Sequence, residues 1–202
     1  MTLHQFSPSF YHPTFGHHPP ILKIKSGDSI ELKLIDAHGL DKTGKKHTEF
    51  SNPLVGPFFV EGLEPGDSLR VFIESVQPDR ETGWSYATPA STVVDTSHIE
   101  SMPGRKQVTW KIDYTSQSAS LAKPSPALEK LQIPLAPMIG CLGVAPDHWQ
   151  AITSYSSGSF GGNIDCPLVK TGCKIDFPIF TQGGLLFLGD MHAVQSHGEI
   201  SS

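Results

Sequence analysis

Four side chains near the C-terminal end of the sequence could together bind a cation or transfer protons. Asp190 and His192 stand two apart, directly after the apolar residues 185–188. Asp165 and Glu199 are further carboxylates in the same region. Residues two apart project to one face of a strand if the strand continues, and carboxylate and imidazole groups bind divalent metals or act as acids and bases. We therefore predict a metal or acid–base site here, although a single Asp after Gly is more often a turn residue and a single His more often solvated.

The elements that would position these side chains are short strands. Alternation of apolar and polar residues, which is typical of half-buried strands, occurs in residues 21–25, 30–35, 69–73 and 107–113. Gly-Asp-Ser sequences at Gly27 and Gly66 indicate turns and, with the strands around them, β-hairpins. Residues 173–180 and 184–188 are the last two predicted strands. The 19 glycines and 17 prolines predict many turns and little helix.

Two long segments, residues 79–102 and 116–137, are rich in small polar residues, Gly and Pro and are predicted to be irregular. A short helix is expected only in residues 125–131, where Pro126 stands at its start. Long irregular loops inside a compact domain usually serve function. One of these segments is therefore expected to line a site.

The charge distribution argues against two classes of partner. The 202 residues include 15 basic and 20 acidic side chains, which gives a formal net charge of −5. No stretch concentrates Lys and Arg. Nucleic acids and anionic membranes attract concentrated positive charge, so neither is expected as a partner.

Three features favour a cytoplasmic protein. Residues 1–8 lack both the basic start and the apolar run of a targeting signal. Residues 185–188 are far too few to span a bilayer. Cys141, Cys166 and Cys173 are odd in number and lack zinc-finger spacing, so reduced thiols are expected, with a bond between Cys166 and Cys173 as the less favoured alternative.

The N-terminal residues 1–19 are predicted to be an arm that precedes one β domain of residues 20–202. His12, His17 and His18 in this arm could bind a metal. A flexible, solvated segment is the favoured interpretation.

Four stretches of the sequence together resemble the acetamidase/formamidase family. They occur in the order in which that family has them, between about residue 20 and the C-terminus: residues 52–67, 138–146, 161–165 and 189–195. A single Pro-Gly-Asp within them carries no information. Four long motifs in order are highly specific.

The resemblance implies a fold, an activity and a cofactor. The fold would be mainly β, a β-sandwich of jelly-roll type with long loops and little helix. The activity would be hydrolysis of the C–N bond of short linear amides, such as formamide and acetamide, to a carboxylic acid and ammonia. The cofactor would be a divalent metal, with zinc as the expected ion, and a homo-oligomer is expected on general grounds. From residue chemistry, the candidate metal ligands are Asp190 and His192, joined by one or two of Asp36, Asp165 and Glu199.

The expected mechanism is attack by metal-activated water. A bound Zn²⁺ polarises a carbonyl and lowers the pKa of bound water to roughly 7. Glu199 is the favoured base, and Asp165 is a further candidate. The backbone at Gly161, Gly162 and Asn163 would stabilise the developing oxyanion.

Alternatives to this mechanism stay open. Cys166 could be a nucleophile with His192 as its base, but nothing in the sequence lowers the pKa of the thiol. An inactive fragment is another alternative, as is a non-catalytic binding module descended from the amidase scaffold. Three departures favour it: Phe160 replaces a His that the family usually has, His197 replaces an Asp, and the family generally continues beyond the end of this sequence.

Overall fold

The computed structural model describes residues 1–200 and confirms that the chain is mainly β. In these residues there is no α-helix, and the 3-10 helices are Ser91–Val93, Thr96–Ser101 and Pro126–Leu128. The strands are β1 (Leu3–Phe6), β2 (Thr14–Phe15), β3 (Leu22–Ile24), β4 (Ser29–Leu32), β5 (Leu54–Val60), β6 (Ser68–Phe72), β7 (Thr82–Tyr86), β8 (Gln107–Asp113), β9 (Ser118–Leu121), β10 (Ile133–Pro134), β11 (Met138–Gly143), β12 (Ile152–Thr153), β13 (Ser157–Gly158), β14 (Gly161–Asn163), β15 (Lys174–Pro178) and β16 (Leu186–His192).

The largest sheet has six strands in the order β13-β14-β11-β16-β5-β3. Its centre is β11, whose six residues are all buried. A continuous apolar strand of this kind is covered on both faces. The neighbouring strands β16 and β5 contribute Phe187 and Phe58, which are fully buried. The C-terminal half of β16 carries the residues predicted to do chemistry.

A second sheet of four strands has the order β10-β9-β8-β7, and three pairs of strands complete the described fold: β1-β4, β12-β2 and β15-β6. The jelly-roll arrangement remains a prediction. None of the helices in residues 1–200 is long and apolar enough to cross a membrane.

Both predicted Gly-Asp-Ser turns form, but neither joins the strands of a hairpin. Asp28 N donates to Lys25 O and Asp67 N to Glu64 O, over 3.0 and 3.1 Å. The strands on either side then pair elsewhere: β3 with β5, β4 with β1, and β6 with β15. The hairpin prediction was wrong at these turns because each strand finds its partner far away in the sequence. The turns carry the chain from one sheet to another.

The two segments predicted to be irregular supply strands of the four-stranded sheet. β7 lies in the first segment, and β9 and β10 lie in the second. The sequence of β7, Thr-Gly-Trp-Ser-Tyr, has no regular apolar alternation. It is a strand because five of its residues pair with β8.

The N-terminal segment is packed into the domain, which corrects the prediction of a flexible, solvated arm. Phe15 is fully buried, and Tyr11 and His12 are 6% and 7% exposed. His12 and Leu54 exchange two backbone hydrogen bonds of 2.9 Å. The segment stays in place because these apolar and aromatic side chains belong to the core.

Candidate functional site

Asp165, Asp190 and His192 converge on one point. β16 extends through Asp190 and His192, and Asp165 follows β14 in the same sheet. His192 Nε2 lies 3.4 Å from Asp165 Oδ1 and 3.4 Å from Asp190 Oδ2. One potential ligand atom from each of the three residues lies within 4.8 Å of the other two. Three of the five predicted metal ligands are thus brought together, and we call them the acidic cluster.

The backbone around the acidic cluster is held in an unusual conformation. Asp165 and Asp190 have φ angles of 44° and 53°, which are uncommon for residues other than glycine. Gly140 O, on β11, accepts hydrogen bonds from the amides of Ile164 and Asp165, at 2.8 and 3.2 Å. Such conformations persist where the surroundings fix them, and they concentrate at functional sites.

Gly140 leaves the centre of the cluster open. A Cβ at this position would lie 2.7 Å from Asp165 Oδ1 and 2.8 Å from His192 Nε2. Those two atoms are themselves buried and have no hydrogen-bond partner, since 3.4 Å is long for a hydrogen bond. Buried polar atoms without a partner are rare and call for an explanation. Two carboxylates and an imidazole around such a space form a donor set that fits a divalent cation.

A chain of hydrogen-bonded polar groups orients the side chain of Asp165. Asn163 Nδ2 donates to Asp165 Oδ2 over 2.8 Å, and Asn163 Oδ1 accepts from the Cys141 thiol at 2.8 Å. Asn52, 3% exposed, lies beyond them, and its Nδ2 donates to Ser154 O over 2.8 Å. Burial, with the nearby negative charge of Asp190, raises the pKa of Cys141 far above its usual value. The thiol therefore stays protonated and fixes the orientation of the Asn163 amide.

The acidic cluster favours positive charge. Burial lowers the pKa of His192, but the adjoining carboxylates of Asp165 and Asp190, with the charge of Glu199, raise it to about 10. Burial raises the pKa of Glu199, and the charge of Asp165 adds to that shift. Three carboxylates around one imidazole in a confined space are electrostatically suited to a cation.

A cavity of about 700 Å³ opens beside the cluster. Its lining includes Asn163, Asp190, His192 and Glu199. Glu199 Oε2 accepts a hydrogen bond of 3.2 Å from Gln195 Nε2. A substrate in this cavity would therefore contact the cluster and Glu199 together.

Asp36 lines the same cavity but uses both of its oxygens elsewhere. Oδ1 accepts from the amides of His38 and Leu40 at 3.0 and 2.9 Å. Oδ2 pairs with Arg80 at 2.9 Å and accepts from Trp84 Nε1 at 3.0 Å. The structure does not bring Asp36 into the acidic cluster, because these contacts occupy both of its carboxylate oxygens.

Gly161 and Gly162 lie outside the cavity. They pair with β11 on one side and with β13 on the other. A Cβ on Gly161 would overlap Leu142 O, and one on Gly162 would overlap Ser156 O. Close packing between strands therefore accounts for both glycines, and the structure does not place them as oxyanion donors beside the cluster.

Other residues that the sequence singled out have structural roles. Phe160 is 3% exposed and packs in the core, with its ring 5.4 Å from that of Phe15. All three cysteines are free. Cys166 packs partly buried against the core and does not line the cavity, so the geometry gives no support to a Cys166 nucleophile. His197 is exposed.

Sequence reasoning missed Gly140, Asn52 and Cys141, although all three lie in the motifs that carried the resemblance. The available signal was their position within those motifs. It also missed the contacts of Arg80 and Trp84 with Asp36, because both residues lie in a segment predicted to be irregular.

Comparison with known proteins gives a consistent result. The model of the Acetamidase/Formamidase family matches residues 10–151 and 150–202. The acetamidase of Mycolicibacterium smegmatis is 29% identical over 199 residues, which cover 73% of this chain and 48% of that protein.

Solved structures agree. A predicted acetamidase/formamidase of Thermoanaerobacter tengcongensis is 30% identical and superposes with a TM-score of 0.77. The matched region covers 99% of this chain and 64% of that protein's chain. The acetamidase of Yersinia enterocolitica is 27% identical, with a TM-score of 0.78. The matched region covers 98% of this chain and 62% of that protein's chain. The chain thus spans about half the length of the curated relatives it matches.

Proposed function

The chain belongs to the acetamidase/formamidase family, and from this we propose that it hydrolyses the C–N bond of linear amides to a carboxylic acid and ammonia. The observation that carries the proposal is the acidic cluster at the cavity, with two buried atoms, Asp165 Oδ1 and His192 Nε2, that have no hydrogen-bond partner. Amide hydrolysis needs an activated water and an electrophilic carbonyl. With a divalent cation bound, the cluster would provide for both.

Asp165, Asp190 and His192 would hold a divalent cation. Three protein ligands leave a coordination position open, as in catalytic metal sites. When bound, the cation would act as a Lewis acid on the carbonyl and lower the pKa of water. Asn163 would keep Asp165 Oδ1 turned toward the cation by holding Oδ2.

Glu199 would transfer the proton. Its carboxylate lines the cavity with the cluster and is oriented by Gln195. In the reaction, water adds to the carbonyl carbon, the C–N bond breaks, and Glu199 passes the proton of the water to the departing nitrogen. The products are the carboxylic acid and ammonia.

The direct test is ammonia release from formamide and acetamide, before and after treatment with a chelator. The proposal expects activity that chelation abolishes and the divalent ion restores. Glu199→Gln should retain the cation and lose turnover. Activity that survives complete removal of the metal would contradict the role of the cluster, and tight cation binding without turnover on any amide would instead favour a non-catalytic binding module.

Four finer expectations belong to the same proposal: zinc as the ion, a jelly-roll sandwich, a cytoplasmic location and a homo-oligomer. Family membership supports the first two, and the cluster's mixed carboxylate and imidazole ligands are compatible with zinc. Elemental analysis and light scattering would test the ion and the oligomer.

A further inference from the structure

The cavity beside the acidic cluster is larger than a short amide requires. Its volume of about 700 Å³ is in the range of pockets that enclose drug-sized ligands. Formamide and acetamide are among the smallest amides and would leave most of this space to solvent. The remaining volume is available to a substituent of the amide.

Part of the lining of this cavity is aromatic. Trp84 and Tyr86, two apart on β7, line it together with His38. The His38 ring stacks on Trp84, with 3.9 Å between centroids and an interplanar angle of 10°. The Trp84 and Tyr86 rings meet edge to face at 5.7 Å. We call these three residues the aromatic wall.

Hydrogen bonds and ion pairs hold this wall in position. Trp84 Nε1 donates to Asp36 Oδ2, whose partner Arg80 lies 2.9 Å away. Tyr86 Oη and His38 Nε2 lie 3.1 Å apart. The polar atoms of Trp84 and Tyr86 are thus bound within the protein. Rings that are already ordered lose little conformational freedom when a ligand binds.

Arg105 covers one face of the Tyr86 ring at 3.8 Å, and His38 covers one face of Trp84, so a ligand ring would contact the remaining faces and edges of these side chains. Aromatic pairs gain from stacked and edge-to-face contacts beyond the area they bury. We propose that the preferred substrates are amides that carry an aromatic ring, with the amide group at the acidic cluster and the ring against the aromatic wall. This inference rests on the proposed amide hydrolysis and specifies its substrate class.

The test compares kcat/KM for acetamide, cyclohexylacetamide and phenylacetamide on the metal-loaded protein. Phenylacetamide should exceed acetamide by roughly tenfold or more, since even one methylene in an apolar pocket discriminates by about that factor. Cyclohexylacetamide, which has the size of the ring without its planarity, should lie between them.

Two variants test whether the aromatic wall causes the preference for phenylacetamide. Trp84→Leu and Tyr86→Leu each remove one ring of the wall and should lower the ratio of kcat/KM for phenylacetamide to kcat/KM for acetamide about tenfold. Trp149→Leu is the matched control because Trp149 is 81% exposed and does not line the cavity. Thermal melts identify a variant that has not folded, and the other variant then decides.

Equal kcat/KM for acetamide and phenylacetamide, or a preference that persists in a folded variant of the wall, would overturn the inference. If no amide is hydrolysed, the proposed function fails, and calorimetry with phenylacetamide decides the inference separately. Binding that weakens with Trp84→Leu but not with Trp149→Leu would support the aromatic contact. Absence of binding would overturn it.

Discussion

Two regions of this protein bury histidines and shift the pKa of the imidazole in opposite directions. In the N-terminal segment, His12 and His18 stack with 3.9 Å between ring centroids. Burial, together with the charge of His18, lowers the pKa of His12 to about 4. In the acidic cluster, Asp165 and Asp190 outweigh burial and raise the pKa of His192 to about 10.

The difference shows that burial alone does not decide what a histidine does. The His12–His18 pair has aromatic neighbours such as Phe187, and in the described residues no carboxylate contributes to its pKa shifts. It is a neutral packing element. The cluster surrounds its imidazole with anions and leaves two buried atoms without hydrogen bonds. His17 Nδ1 in the N-terminal segment is also buried without a partner, so the adjoining carboxylates are what distinguish the cluster. Of these two regions, we expect the cluster to bind a cation.

Removal of a carboxylate from the acidic cluster should have the largest effect on cation binding. Asp190→Asn should lower both the affinity for a divalent cation and kcat/KM by more than about 100-fold. Changes to residues that only support metal ligands typically cost about 10–100-fold. Metal titration and ammonia release measure the two effects. Asp176→Asn is the control, because Asp176 pairs with Arg70 at the surface, where ion pairs contribute little. Similar affinities in both variants would contradict the account.

A methyl group placed at the centre of the cluster should act without altering any charge. The Cβ of Gly140→Ala would lie 2.7 Å from Asp165 Oδ1, so the side chains must move apart and cation affinity should fall roughly as far as in an outer-shell variant, 10-fold or more. Gly104→Ala is the control, since a Cβ there has no neighbour within 4 Å. Unchanged metal affinity in a folded Gly140→Ala protein would show that the open space is not the binding position.

Substitutions in the hydrogen-bonded chain that orients Asp165 should have graded effects on cation affinity. Asn163→Ala removes the donor to Asp165 Oδ2 and should weaken cation binding about 10–100-fold. Cys141→Ser keeps a donor for Asn163 Oδ1, so its affinity should lie nearer that of the native protein. Metal affinity is the readout. A weaker effect of Asn163→Ala than of Cys141→Ser would contradict the positioning role of Asn163.

The smallest effect on function is expected at His12, where pH should change stability instead. The unfolded chain takes up a proton near pH 6.5, whereas the folded chain does so at about 4. The contribution of neutral His12 to the free energy of unfolding is therefore fully present above pH 6.5. It declines as the pH falls toward 4 and is smaller by about 2 kcal/mol at pH 5. Urea unfolding across this range measures it. His12→Leu should flatten the decline, and an equally steep decline in that variant would show that other groups cause it.

Strand periodicity predicted much of the acidic cluster. Asp190 and His192 follow an apolar run and share a strand, β16, so their spacing of two was informative. Asp165 was close in sequence and proved close in space. The mainly β class followed from the turns and the alternating segments.

Contacts between distant segments were beyond sequence reasoning. Asp36 was predicted to be a ligand, but its partners Arg80 and Trp84 come from a segment without strand periodicity. The role of Gly140 depends on how closely two strands approach. The N-terminal arm is ordered by core contacts made with distant strands, which local composition does not reveal.

The most direct test of the central claim is titration of the metal-free protein with Zn²⁺ by calorimetry. The account predicts one ion bound per chain, binding strongly reduced in Asp190→Asn and Gly140→Ala, and binding retained in Asp176→Asn. No binding by the native chain, or equal binding by all four proteins, would show that Asp165, Asp190 and His192 do not form a cation site.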